Sequence, residues 1–85
     1  MITEKIRIYL RTISEGHHSR QIATILNIKG VIPKRSNAYT SRTIQRIFDG
    51  DQEDIPAELE IIEYYEQLKI KISVSKNLYR KIENL

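Results

Sequence analysis

The sequence predicts an all-α protein in which three short helices precede one longer amphipathic C-terminal helix. Three observations carry that expectation. Apolar residues recur at i, i+3, i+4 and i+7 in successive stretches, and strict apolar–polar alternation appears at only one place. Capping residues open the stretches, and glycine or asparagine closes the first three. Eighty-five residues with 40% hydrophobic and 29% charged side chains fit one small domain, too apolar for a disordered chain. The absence of cysteine removes disulfide frameworks, thiolate zinc sites and cysteine nucleophiles. Aliphatic runs reach only two or three residues, so no membrane span is expected. The start, Met1-Ile2-Thr3-Glu4, lacks the basic-then-apolar layout of a signal peptide. A soluble, cytoplasmic chain is the expectation.

The first helix opens at Thr3, a plausible N-cap, and places Ile6, Tyr9, Leu10 and Ile13 on one face, with Lys5, Arg11 and Glu15 opposite. Gly16 stands where a left-handed closing residue is wanted. The second helix starts from Ser19 as its cap and runs to Asn27. Ile22, Ile25 and Leu26 share a face, and Ala23 allows close helix contact. At about two turns it is stable only against a neighbour. Residues 28–39 form a connector in which Pro33 biases Ile32 to an extended conformation and Ser36-Asn37 signals a turn. A small two-stranded wing and an irregular loop both fit, and Tyr39 is expected in the core or at a hinge.

The third helix follows from Thr40 as cap, lines one face with Ile44, Ile47 and Phe48, and ends at Asp49-Gly50. A fourth starts near Ile55, with Pro56 in its first turn and Glu58 and Glu60 at the positive end of the dipole. Ile61, Tyr65, Leu68 and Ile72 form an apolar stripe that continues to Ser75, Tyr79 and Ile82. A strand pattern competes over residues 68–74, where Leu68, Ile70, Ile72 and Val74 alternate with Lys69, Lys71 and Ser73. The balance favours helix through about Lys71, a break near Ser73–Ser75, and a last helix capped by Ser75 to about Asn84. Residues 1–50 are thus one helical unit. Residues 51–85 are an amphipathic segment that packs on it, joins two chains, or does both.

The net charge of +3 is unevenly spread. Residues 1–48 carry nine bases against Glu4 and Glu15, a balance of +7, whereas residues 49–85 carry nine acids against five bases, a balance of −4. Eight of those acids crowd into Asp49–Glu66. Such asymmetry points to a polyanion at the first half and not at the second. On the third helix Arg42, Gln45 and Arg46 lie at i, i+3 and i+4 and project together, with Ser41 at the first turn. A helix, a connector and a second helix with a basic, hydrogen-bonding face follow helix-turn-helix logic. Arginine matches the two acceptors of guanine and glutamine can match adenine, while hydroxyls and helix N-termini suit phosphates.

Ile22-Ala23, Leu26-Asn27 and Gly30-Val31, then Pro33-Lys34-Arg35, then Tyr39 with Thr43-Ile44 and Ile47, form a pattern that resembles the DNA-binding segment of large serine recombinases. The likeness covers about residues 19–48. Thr40 to Gly50, followed by acids and an apolar helix, also looks like small helix-turn-helix regulators of bacteria and phages. The resemblance implies a role on the duplex for Lys34, Arg35, Arg42 and Arg46. The catalytic domain of the recombinases has no room here, and Ser36-Asn37 replaces the glycine that usually follows the basic turn.

Arg20, Gln21, Lys34, Arg35, Ser41, Arg42, Gln45 and Arg46 are therefore the expected contacts to double-stranded DNA, with helix 40–49 in the major groove. Ile61, Tyr65, Leu68 and Ile72 are the expected dimerisation stripe of a bacterial or phage transcriptional regulator. The acidic patch should face away from the duplex and is a candidate surface for a protein partner. His17-His18 diverge without a third ligand at metal spacing, and no nucleophile–base or paired-carboxylate constellation appears. No metal, cofactor or catalytic residue is expected. Two other classes stay open: a protein-interaction module acting through the acidic patch and apolar stripe, and a DNA-bending recombination accessory factor.

Overall fold

The computed structural model describes residues 1–84 as four helices, with no strand among the described residues. They are α1 (Glu4–Ile13), α2 (Ser19–Ile28), α3 (Ser41–Phe48) and α4 (Ile55–Glu83). No helix is long and apolar enough to cross a membrane among the described residues. Thr3 caps α1 by accepting from the Ile6 amide at 3.3 Å, and Thr40 caps α3 by accepting from Thr43 at 3.2 Å. Asp54 caps α4 in a reciprocal box. Its Oδ1 accepts from the Ala57 amide at 3.1 Å, and its own amide donates to Glu58 Oε2 at 2.8 Å.

Two of the expected local signals fall elsewhere. Ser19 is the first residue of α2 rather than its cap. His18 precedes it without a side-chain capping bond, and the Ser19 hydroxyl is used across the helix pair. Gly16 does not adopt a positive φ, since α1 already ends at Ser14 in an extended conformation. The left-handed glycines are Gly30 (φ +77°) and Gly50 (φ +82°). Each closes a helix in the same way. The amides of Gly30 and Val31 donate back to Asn27 and Leu26, and those of Gly50 and Asp51 donate to Ile47 and Arg46.

The connector forms no wing. Its course is set by Asn27, whose side-chain oxygen accepts from the Tyr39 amide at 2.8 Å while its nitrogen donates to the Tyr39 carbonyl at 2.9 Å. Tyr39 is buried, as a core residue, and its hydroxyl donates to Asp54 Oδ2 at 2.8 Å. Burial first, and then the bond to the Asp54 carboxylate, push its phenol up to about 12. One asparagine and one tyrosine thereby tie α2, the connector and the start of α4 together.

The core gathers Leu10, Leu26, Ile44, Ile47 and Ile61, all fully buried, with Phe48 stacked on Tyr65 at 5.9 Å between ring centres. α4 supplies Ala57, Ile61 and Tyr65 to this core, so the first half of its stripe lids the three-helix unit. Helix α4 then continues without a break through Ser73–Ser75 to Glu83. A strand over residues 68–74 would need a partner, and Val31-Ile32 lies in the irregular connector instead. The helix satisfies its backbone internally and needs none. At 29 residues it is about 43 Å long. Its outer half projects from the body, which explains a radius of gyration of 15.0 Å where about 12 Å is usual for this length.

Candidate nucleic-acid interface

Of the bases in the first half, several serve the fold. Arg7 donates to the carbonyls of Ile2 (3.4 Å) and Phe48 (3.3 Å), satisfying the C-terminal end of α3. The Arg11 guanidinium lies 5.2 Å from the Phe48 ring centre. Lys29 pairs with the buried Glu60 carboxylate at 2.6 Å, and that bond raises its pKa. Lys5 is exposed on α1 and borders neither hollow described below, and Arg20, Lys34, Arg35, Arg42 and Arg46 remain. All five are exposed, and none has an ion-pair partner within 4.0 Å among the described residues.

These five fall in two adjacent groups around α3. Arg20, Ser41 and Arg42 line an open hollow of about 320 Å³ with His17, Ser19 and Gln45. The first turns of α2 and α3 both border this hollow, and neither carries an acid, so the positive ends of two helix dipoles stay uncompensated there. Lys34, Arg35 and Arg46 line a second hollow of about 560 Å³ with Pro33, Ser36 and Thr43. Gln21 is exposed on α2 and borders neither hollow.

Gln45 departs from the sequence expectation. Its Oε1 accepts from the Ser19 hydroxyl at 3.0 Å, and its Nε2 donates to Asp49 Oδ1 at 3.0 Å. Both ends of the amide are occupied and the side chain is half-buried, so it braces α3 against α2. The pattern Arg42, Gln45, Arg46 signalled a shared face, but nothing local revealed a partner 26 residues away. The acidic stretch also departs from expectation. Asp51, Glu53 and Asp54 line the second hollow opposite Lys34, Arg35 and Arg46, so part of the patch faces the basic connector.

His17 joins the first hollow, a position that sequence reasoning missed although the pair His17-His18 was conspicuous. His18 turns inward. Its Nε2 lies 2.9 Å from Ser14 Oγ, and its ring lies 5.3 Å from that of Tyr64 and 5.4 Å from that of Tyr65. Burial, and then the neighbouring His17, lower its pKa below the ordinary 6.5.

The expected dimerisation stripe is divided by the fold. Ile61 and Tyr65 are buried in the chain's own core, whereas Leu68 and Ile72 are half-buried at its margin. Ile61 and Tyr65 therefore present no surface to a second chain. No protein family matches the sequence, and neither does any curated protein or solved structure.

Proposed function

We propose that residues 19–48 dock on double-stranded DNA, with α3 in the major groove, as the DNA-binding unit of a transcriptional regulator. The observation that carries this reading is the set of five unpaired cations around one eight-residue helix. In it, Arg42 and Arg46 lie one turn apart on the exposed side of α3 and reach base edges, for which a guanidinium is a bidentate donor. Arg20, Ser41 and His17, at the starts of α2 and α3, take phosphates on one side. Lys34 and Arg35 take phosphates on the other. Gln45 acts by holding α3 on α2 and not by reading a base.

The test is gel retardation of a cognate duplex, selected from a random pool, by the full chain and by Arg42→Ala/Arg46→Ala. Both side chains are exposed and neither makes a hydrogen bond or ion pair among the described residues, so the variant keeps its fold by circular dichroism. Retardation is lost if the reading is right. Unchanged retardation by a folded variant refutes it.

A further inference from the structure

The outer half of α4 is apolar, helical and uncovered. Every described residue from Ser73 to Asn84 is exposed, and Val74, Leu78, Tyr79 and Ile82 each show more than half of their surface. Leaving this apolar surface in water is unfavourable, and covering it against a partner surface is the favourable alternative. Two observations identify that surface.

The first is charge. Between Glu58 and Glu66 α4 carries four acids and no base, and from Lys69 to Glu83 five bases and one acid. Parallel pairing of two α4 helices sets like charge on like. Antiparallel pairing lays the acidic half of each copy along the basic half of the other.

The second is a groove. A cleft of about 300 Å³ runs between α2 and α4, with Ile25, Tyr64 and Leu68 on its apolar lining and Glu63 beside them. Glu63 has no ion-pair partner among the described residues, unlike Glu60, which holds Lys29. Lys71 also lines this cleft. From Lys71 the same side of the helix continues through Val74, Leu78 and Ile82 at steps of three and four. Groove and ridge are therefore one continuous side of α4.

We propose that this protein forms an antiparallel homodimer in which the outer half of each α4 lies in the α2–α4 groove of the other copy. The ridge Val74, Leu78 and Ile82 covers Ile25, Tyr64 and Leu68, and the partner's Lys81 lies beside Glu63. That register places the two-fold axis at Ile72. Covering the ridge together with the groove that it fills removes roughly 600 Å² per copy, which brings the pair to the lower bound of specific interfaces. The register also separates the two Ile61 positions by roughly 33 Å, near the spacing of half-sites one helical turn apart. The dimer thus deepens the DNA-binding reading but does not depend on it.

The test contains no DNA. Sedimentation equilibrium of the full chain should give a dimer mass, and Leu78→Asp should give a monomer that keeps the near-ultraviolet tyrosine signal of the core. Glu63→Lys and Lys81→Glu should each weaken the dimer several-fold, and the double reversal should restore it. Spin labels at Glu83→Cys should lie roughly 33 Å apart in the antiparallel pair, against under about 15 Å in a parallel one. A chain that stays monomeric to about 1 mM, a short Glu83 distance, or a double reversal that does not restore association overturns the proposal. So does a monomeric chain whose outer α4 binds anionic lipid vesicles, which would assign the ridge to a membrane surface.

Discussion

Replacing Gly50 by alanine should destabilise the fold far more than the same change at Gly30, although both glycines close a helix with nearly the same φ. A left-handed conformation costs an L-residue about 1–2 kcal/mol at either position. At Gly30 a new methyl group meets no atom within 4 Å, so that cost is the whole effect. At Gly50 it would lie 2.8 Å from the Ile2 carbonyl oxygen and 2.9 Å from Arg7 Nη1. One neighbour is backbone, and the other is the guanidinium that holds the Ile2 and Phe48 carbonyls. Displacing it adds the loss of charged hydrogen bonds, about 1.5–3 kcal/mol, for a total of about 2.5–5 kcal/mol. A domain of this size has about 4–13 kcal/mol of stability, so Gly50→Ala removes a large share of it. Urea denaturation followed at 222 nm measures both variants. Equal midpoint shifts for Gly30→Ala and Gly50→Ala would refute the claim that close approach, and not φ alone, sets the requirement at Gly50.

Other expected outcomes follow from the same contacts. Asn27→Ala strips both backbone partners from Tyr39 and should cost about 2–3 kcal/mol, with the Tyr39 amide losing hydrogen-exchange protection before the core amides do. His18 has a folded-state pKa below its ordinary value of 6.5, so the native state binds fewer protons than the unfolded chain as pH falls. Its contribution is complete above about pH 6.5 and is lost as pH drops below that value. Urea midpoints for the wild type and His18→Gln should therefore converge on acidification. A gap between them that stays constant from pH 7.5 to pH 5 would contradict this.

Much of the fold was legible because its signals are local. Thr3 and Thr40 cap helices within three residues of their partners, and the stripes Ile22–Leu26 and Ile44–Phe48 repeat at helical spacing. What escaped depends on atoms distant in sequence. Ser19 has the residue type of a cap, yet its hydroxyl serves Gln45, and that pairing exists only once α2 and α3 pack; the Gln45–Asp49 bond is local to α3. The alternation over residues 68–74 is as compatible with a strand as with a helix by pattern. Continuity with Ile61 and Tyr65, which anchor α4 in the core, and the lack of a strand partner keep the segment helical through Ser73–Ser75, where the sequence signals a break. Charge arithmetic located the basic half of the chain. It did not separate Arg7, Arg11 and Lys29, which serve the fold, from the five cations left around α3.

The central claim is that these five cations meet phosphates and bases, and the dependence of DNA affinity on salt tests it most directly. Fluorescence anisotropy on a duplex of about ten base pairs, with room for one unit, isolates the effect from dimerisation. Three neutralised phosphates, at Arg20, Lys34 and Arg35, give a slope of log affinity against log salt near −2.7, a fall of about 40-fold between 50 and 200 mM salt. Lys34→Ala/Arg35→Ala should reduce the slope to about −0.9. Absence of binding at 50 mM salt, or the same slope in both proteins, would contradict the account.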